Sequence, residues 1–410
     1  MTCLINLDRA RDQMGRAGFD ALILVTPINV SYAAGTASEF LLGRFEDWTT
    51  AVIVPRDPDV APGLVIPEFD LPYLVEKPSW IEDLQVFGSP WSSVGVFMGE
   101  TLERSLSNDL RRDLAKARGR LGPEQRASFM DALAKALRER NLDEARLATD
   151  DLRLGRRLSE SGIVQNLVGD AVQLMRRIRI VKTAPEIALI TQGADINAKA
   201  LEAVIDAGHL GVSEDDLIRI YRRSLVDHDA RWLGERGMMF GTGDASTFSL
   251  PASDERFLAP GDAVVLDCLG TYQGYHMDLA RTAVVGDPTD AQILRYRAVT
   301  DALEAVEAAM RPGEHTEDLR ELTRATIAGH GLRRDLVSVT THGLGLEVFE
   351  FPHENSLVEG FELELGMVVN TEVFYRDSDL GAFHLEDSVV VEPDGCRILR
   401  PVDRGLVVFE

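Results

Sequence analysis

The amino-acid sequence predicts an α+β protein in two parts, a smaller α/β unit over residues 1–168 and a larger unit over 169–410. Three observations carry this. In the first part, short apolar runs alternate with helical patterns, which is the signature of a layered α/β unit. In the second part, helices are grouped together and antiparallel strands are grouped together, an α+β pattern. Between them lies a basic stretch, MRRIRIVK, closed by Pro185. A chain of 410 residues is long enough for two cores at about 150 residues each.

In order along the chain, residues 5–18 form an amphipathic helical pattern. Residues 20–26 are an apolar strand bounded by Pro27, and Asn29 to Gly35 begin a new element. TAVIVP (50–55) and PGLVIP (62–67) read as short strands between turn residues. Residues 108–141 are helical and charged, a solvated face with some core contacts; 145–154 fit neither pattern cleanly. Pro185 opens a long helix through Ala207, since proline is tolerated in the first helical turn. Ser213-x-x-Asp216 caps the next helix. Residues 238–250 read as strand and loop. Helices follow at 288–310 and 315–330, and strands at 336–350, 366–375 and 382–392.

Composition narrows the function. The chain has 43 basic and 67 acidic residues, a formal charge of −24. That argues against nucleic acid or an anionic membrane as a partner, since both need basic patches. Three cysteines without CxxC spacing point to a reducing compartment. The N-terminus lacks the apolar core of a signal peptide, and no run of about 18 apolar residues exists. A cytoplasmic protein acting on a small molecule is expected.

The chemistry concentrates in LDCLGTYQGYHMDLART, Leu266 to Thr282. Two strands flank a Gly-rich turn, and the midpoint of Asp267 and Asp278 falls between Tyr272 and Gln273. In a regular hairpin centred there, the two acids face each other with Cβ atoms roughly 4.5–5.5 Å apart. Two buried carboxylates so placed repel, and a cation relieves them. The last two strands repeat the device. Glu372 and Glu386 lie either side of Asp379, in apolar β-branched sequence. Between the hairpins comes His342, followed by Gly343 and Gly345, which leave room for close approach of backbone or ligand. Asp267, Asp278, His342, Glu372 and Glu386 form a candidate ligand set. Four carboxylates balance two divalent ions, and oxygen ligands with one imidazole suit Mn, Fe, Co or Zn. Two ions sharing bridging acids hold a nucleophilic water.

These residues, in this order, resemble the pita-bread metalloenzymes: prolidase, aminopeptidase P, methionine aminopeptidase and creatinase. The resemblance rests on the spaced aspartates, HGLGLE (342–347), VNTEV (369–373), Glu386-Asp387, Gly274-Tyr-x-x-Asp-x-x-Arg-Thr282, and Arg179-x-x-Lys-x-x-x-Glu186. GFDALILVTPINVSYAAG (18–35) resembles the creatinase-type N-terminal domain. The resemblance implies a C-terminal pita-bread domain behind that N-terminal domain. In it, Asp267 and Asp278 chelate one ion, Asp278 and Glu386 bridge, and His342 and Glu372 complete the other. It also implies Glu372 as general base, a metal-bridging hydroxide as nucleophile, and a homodimer whose N-terminal domain covers its neighbour's active site.

The sequence departs from the prolidase pattern at both auxiliary histidines. Phe248 and Phe349 stand where the peptidases place them, the second in a Phe349-Glu350 pair. A phenyl ring cannot donate the hydrogen bond that a tetrahedral intermediate needs, a loss of about 10²–10³ in rate. Two rings at the mouth suit a small methylated or cationic ligand. His384 stands where many relatives have arginine, two residues before Glu386, so both share a strand face. It is a candidate acid or base near neutral pH. Glu372, His384 and Glu350 are therefore the candidate catalytic residues. His276 and His353 are weaker candidates, and Glu39 to Trp48 is a candidate segment reaching in from a second subunit. The leading expectation is a two-metal hydrolase of a small amide or amidine. The alternatives are an Xaa-Pro dipeptidase, a dimethylsulfoniopropionate lyase (the fold's lyase carries an aspartate where this chain has Leu269), and a binding module on a dead scaffold.

Overall fold

The computed structural model describes residues 3–35, 49–67, 70, 73–74, 77–88, 128–166, 168–234, 238–248 and 256–410; at Met239 and Phe248 it describes the backbone alone. The chain divides into two compact units, Met1–Ile178 and Arg179–Glu410. The Glu39–Trp48 segment and the charged residues 108–127 lie outside the described residues.

In the first unit, α1 (Leu7–Ala17), β1 (Ala21–Leu24), α2 (Pro27–Ala34), β2 (Ala51–Pro55), β3 (Gly63–Pro67), β4 (Leu84–Phe87), α3 (Phe129–Arg138), β5 (Leu147–Thr149), α4 (Leu152–Ser161) and β6 (Gly169–Asp170) follow in order. Six strands form one mixed sheet, ordered β4-β3-β2-β1-β5-β6. The stretch 145–154, ambiguous in sequence, splits into β5 and the start of α4, with Asp150 between them. Asp150 is buried, and accepts from the Val25 amide at 2.8 Å and the Asn29 side-chain amide at 2.7 Å. One carboxylate thus fixes the β1–α2 turn, whose backbone donors would otherwise be unpaired.

The second unit opens with α5 (Ala184–Ala207), where Thr183 and Glu186 form a reciprocal capping box. It continues through α6 (Glu214–Asp227), capped by Ser213, then β7 (Arg231–Trp232) and β8 (Met238–Thr242). Next come β9 (Ala263–Tyr272), β10 (Tyr275–Val285), α7 (Asp290–Ala309), α8 (Thr316–Gly329), β11 (Val337–Gly343), β12 (Val368–Asp377), β13 (Gly381–Glu392), β14 (Gly395–Ile398) and β15 (Val407–Phe409). The main sheet path is β11-β12-β13-β10-β9-β7. The strand expected over 336–350 stops at Gly343, because Leu344 to Phe349 turn away as a loop.

One face of this sheet meets the helices. Leu266, Cys268, Met277 and Leu279 pack with Leu201, Val204, Leu217 and Tyr221 of α5 and α6. Val339, Val373, Tyr375, Phe383 and Leu385 pack with Val299, Leu303 and Ile327 of α7 and α8. Residues alternate across a strand, so the intervening positions face the other side. Those positions include Asp267, Asp278, His342, Glu372, His384 and Glu386. Strand alternation explains why each acid sits in so apolar a run.

Within the helical layer, Asn197 on α5 donates to the carbonyl of Cys268 at 2.9 Å and accepts from the Tyr221 hydroxyl at 2.7 Å, and it is fully buried. This ties the strand position beside Asp267 to two helices. Replacing Asn197 with Ala strands two buried polar groups, at a cost of about 1–3 kcal/mol. Urea unfolding should show the midpoint falling accordingly; an unchanged midpoint would refute the tie.

Candidate metal centre

The two hairpins place the acids differently. On β12 and β13, Glu372 pairs directly with Glu386 across a turn at Ser378–Leu380, as the sequence spacing predicts. On β9 and β10, Tyr272 pairs with Tyr275, so the turn is Gln273-Gly274. Both turn residues have positive φ, 48° and 88°, the conformation that a two-residue hairpin of this twist requires. The centre therefore falls one residue later than the sequence midpoint. Asp267 pairs with Ala280, and Asp278 pairs with Leu269. The aspartates are diagonal neighbours rather than opposite ones. They keep the same face, because the register differs by two residues.

Ala280 pairs with Glu386 where the hairpins meet, the one backbone register pair between β10 and β13. Side chains do the rest of the joining. Ser388 Oγ lies 3.1 Å from the Asp278 carbonyl, sharing with it the one hydroxyl proton that it also offers to Asn370. Thr282 Oγ1 donates to the His384 carbonyl at 2.9 Å and accepts from the His384 amide at 2.7 Å. Arg281, buried, donates to the Glu386 carbonyl and to Asp387, each at 2.9 Å. Asp387 also takes Arg404 at 2.6 Å, so neither of its neighbours is left as a lone buried charge. The Arg-Thr of the β10 motif thus holds the His-Leu-Glu of β13 from both sides.

Within the site, His342 Nε2 lies 3.9 Å from Asp278 Oδ2 and 3.8 Å from Glu386 Oε1. Its Nδ1 faces the Gly343 carbonyl at 3.1 Å, an acceptor only. The proton therefore sits on Nδ1 in the neutral ring, which leaves the Nε2 lone pair towards the acids. Asp278, His342 and Glu386 each present one donor atom within 4.8 Å of one another; Glu372, His384 and Glu386 form a second such group. Asn370 Nδ2 donates to Glu386 Oε1 at 2.5 Å, and Ser388 Oγ donates to Asn370 Oδ1 at 2.5 Å. Asn370 and Ser388 are functional-site residues that sequence reasoning missed. The signal was there: they stand two residues from Glu372 and Glu386 on the same strands, hence on the same face.

The electrostatics ask for cations. Burial, then the charge of Glu386, pushes Asp267 well above the usual carboxylate range; burial, then Glu386 and Asp267, does the same to Asp278. Burial alone would also raise Glu372, but the hydrogen bond and charge of His384, with His342 behind, hold it at about 2. Asp267 Oδ1 and Asp278 Oδ1 are buried with no hydrogen-bond partner. Unpartnered acceptors among clustered acids and a lone-pair imidazole fit divalent metal ions of the Mn-to-Zn series.

Glu350 is not brought into this cluster. It is buried and salt-bridged to Lys182 at 2.7 Å and Arg179 at 3.3 Å, and it accepts from the Leu346 amide at 3.0 Å. With its oxygens so committed, it braces the loop after His342. The glycines there serve Glu350. A Cβ on Gly345 would lie 2.7 Å from Glu350 Oε2, and one on Gly343 would lie 2.2 Å from the Glu350 carbonyl oxygen. His276 faces the Gly345 carbonyl through Nδ1 at 3.2 Å, and His353 faces the Gly360 carbonyl at 3.1 Å, so both are loop fasteners. Phe349 is half-exposed and its ring centroid is 4.4 Å from that of His342. The Phe248 side chain lies outside the described residues.

Raised carboxylate pKa values mean that the folded chain holds protons which the unfolded chain releases above about pH 4. Their contribution is present at acid pH and lost as pH rises. The metal-free protein should therefore melt at lower temperature as pH climbs from about 4 to neutrality. Asp278→Asn should lessen that fall and remove the stabilisation given by added divalent ions. Scanning calorimetry with and without chelator reads both; a flat wild-type profile would contradict the assignment.

Comparison with known proteins places the chain in a family and on a fold. The metallopeptidase family M24 profile matches residues 188–393, and that of the creatinase/prolidase N-terminal domain matches residues 6–154. The Xaa-Pro dipeptidases of Pyrococcus horikoshii and Pyrococcus furiosus are each 30% identical over 239 residues, 57% of this chain. The matched stretch spans 66% and 67% of those relatives' own lengths. The crystal structure of the Pyrococcus horikoshii prolidase superposes with a TM-score of 0.72 at 22% identity, covering 98% of this chain and 99% of that one. The Bacillus anthracis Xaa-Pro dipeptidase gives 0.73 at 19% identity, covering 98% of each. With acids and histidine gathered on one sheet face inside the matched segment, the chain belongs to metallopeptidase family M24, on the pita-bread fold.

Proposed function

We propose that this protein is a metal-dependent hydrolase of a small amide or amidine C–N bond, with Asp267, Asp278, His342, Glu372 and Glu386 holding two divalent ions. The observation that carries it is the convergence of four carboxylates on one buried sheet face, two of them with unpartnered oxygens. When bound, the ions supply Lewis acidity and a water-derived nucleophile at neutral pH.

The chain's own residues divide the remaining work. Glu372 is the acid of the set that opens to solvent, with a side chain 21% exposed against 3% for Glu386. It is ionised at neutral pH and can take the proton of the attacking water and pass it to the leaving nitrogen. Asn370 orients Glu386, and the Arg281–Asp387 pair fixes the strand carrying it. Phe349, half-exposed against His342, gives the site an apolar wall that favours a small substrate. A second reading, Xaa-Pro dipeptides as substrates, is supported by the dipeptidase relatives. A homodimer and a cytoplasmic location accompany either reading as proposals from the family resemblance and composition.

Chelator treatment should abolish hydrolysis, and Mn, Co or Zn should restore it. Glu372→Gln should lower turnover by about 10²–10⁴-fold while the fold persists by circular dichroism. A panel of Ala-Pro, Gly-Pro, small amides, amidines and dimethylsulfoniopropionate separates the substrates. Chelator-insensitive turnover, or none after metal reconstitution, would sink the hydrolase reading. Rapid Ala-Pro cleavage would establish the dipeptide reading over the non-peptide one.

A further inference from the structure

The metal reading leaves one buried imidazole without a part. His384 lies on β13 directly across from Phe374 and two residues before Glu386, on the acid-bearing face. Its Nε2 is 3.0 Å from Glu372 Oε2, and its side chain is 1% exposed. One donor atom each from Glu372, His384 and Glu386 lies within 4.8 Å of the others. The ring plane is set by stacking on Phe374, with centroids 4.4 Å apart and planes 12° apart. Arg376 lies over that same phenyl ring at 3.6 Å. The His384 backbone is pinned at both its amide and its carbonyl by Thr282. Its Nδ1 is buried and has no hydrogen-bond partner, so the ring's polar contact is spent on the acids.

We propose that His384 Nε2 is itself a metal ligand, completing with Glu372 and Glu386 the second of two sites. This rests on the metal reading above and adds a sixth side chain to it. Each ion then has one nitrogen donor, His342 for one and His384 for the other. The proton bridging Nε2 and Glu372 is what the ion replaces; it moves to Nδ1 or leaves to solvent. A nitrogen donor at both sites shifts preference from Mn towards Co and Zn, since imidazole suits these better than an all-oxygen set does.

A hydrogen bond to Glu372 alone would also affect affinity, because partners of ligands commonly change it by about 10–100-fold. Affinity therefore cannot separate the two roles, whereas the number of imidazoles on the metal can. The full-length chain, stripped by chelator and loaded with two equivalents of Zn²⁺, is read by X-ray absorption at the zinc edge. The wild type should average one imidazole per zinc. His384→Gln, which keeps an amide donor towards Glu372, should average half of that and lose affinity at one site. Two bound zincs averaging half an imidazole in the wild type would overturn the proposal and leave the metal reading standing. No retained zinc would overturn both. Since the wild-type spectrum decides alone, misfolding of the variant does not rescue the idea.

Discussion

Mutual repulsion among four carboxylates on one side of a sheet is the constraint around which the C-terminal unit is built. Two hairpins supply two acids each, and strand alternation turns all four to the same side. The opposite side is packed against four helices, so the acids cannot relax by rotating into solvent without breaking a core. Burial makes each charge more costly, which is why Asp267 and Asp278 are driven towards their protonated forms. A sheet that holds such a cluster is prepared for cations. His342 and His384 meet part of the demand, and their raised affinity for protons is the same demand expressed without metal.

Support for the cluster comes from neutral and paired groups rather than from further free charges. The joint between the hairpins has one backbone register pair, and Thr282, Ser388 and Arg281 replace the missing ladder with side-chain bonds. Arg281 and Asp387 are both buried and neutralise each other, so they stiffen the strand without adding net field at the site. Lys182 and Arg179 with Glu350 and Glu347, two cations against two carboxylates, do the same for the loop beyond His342.

Much of this was legible in the chain. The α+β grouping, the capped helices and the Glu372–Glu386 pairing follow from periodicity and a symmetric turn, which are local properties. The Asp267–Asp278 register was harder, because a turn rich in Gly270 and Gly274 offers more than one centre. Gln273 in the left-handed region decided it, and glutamine is not a residue that announces that conformation. Glu350 read as a catalytic acid because it follows an aromatic residue near His342, a candidate ligand. Its partners in the fold, Lys182 and Arg179, lie 168 and 171 positions earlier and could not be paired by spacing. Asn370 and Ser388 were passed over because neutral polar residues in strands carry no charge signal, although their alternation with the acids was visible.

The joint at Ala280 and Glu386 brings together strands more than a hundred positions apart in the chain. Contacts of such separation are slow to form, because loop closure must precede any reward. Each hairpin can zip locally, whereas the seam between them waits for the whole domain to collapse. Ions bound across that seam would then act late, gripping a structure already assembled. Their kinetic effect would fall on how slowly the protein comes apart rather than on how quickly it forms.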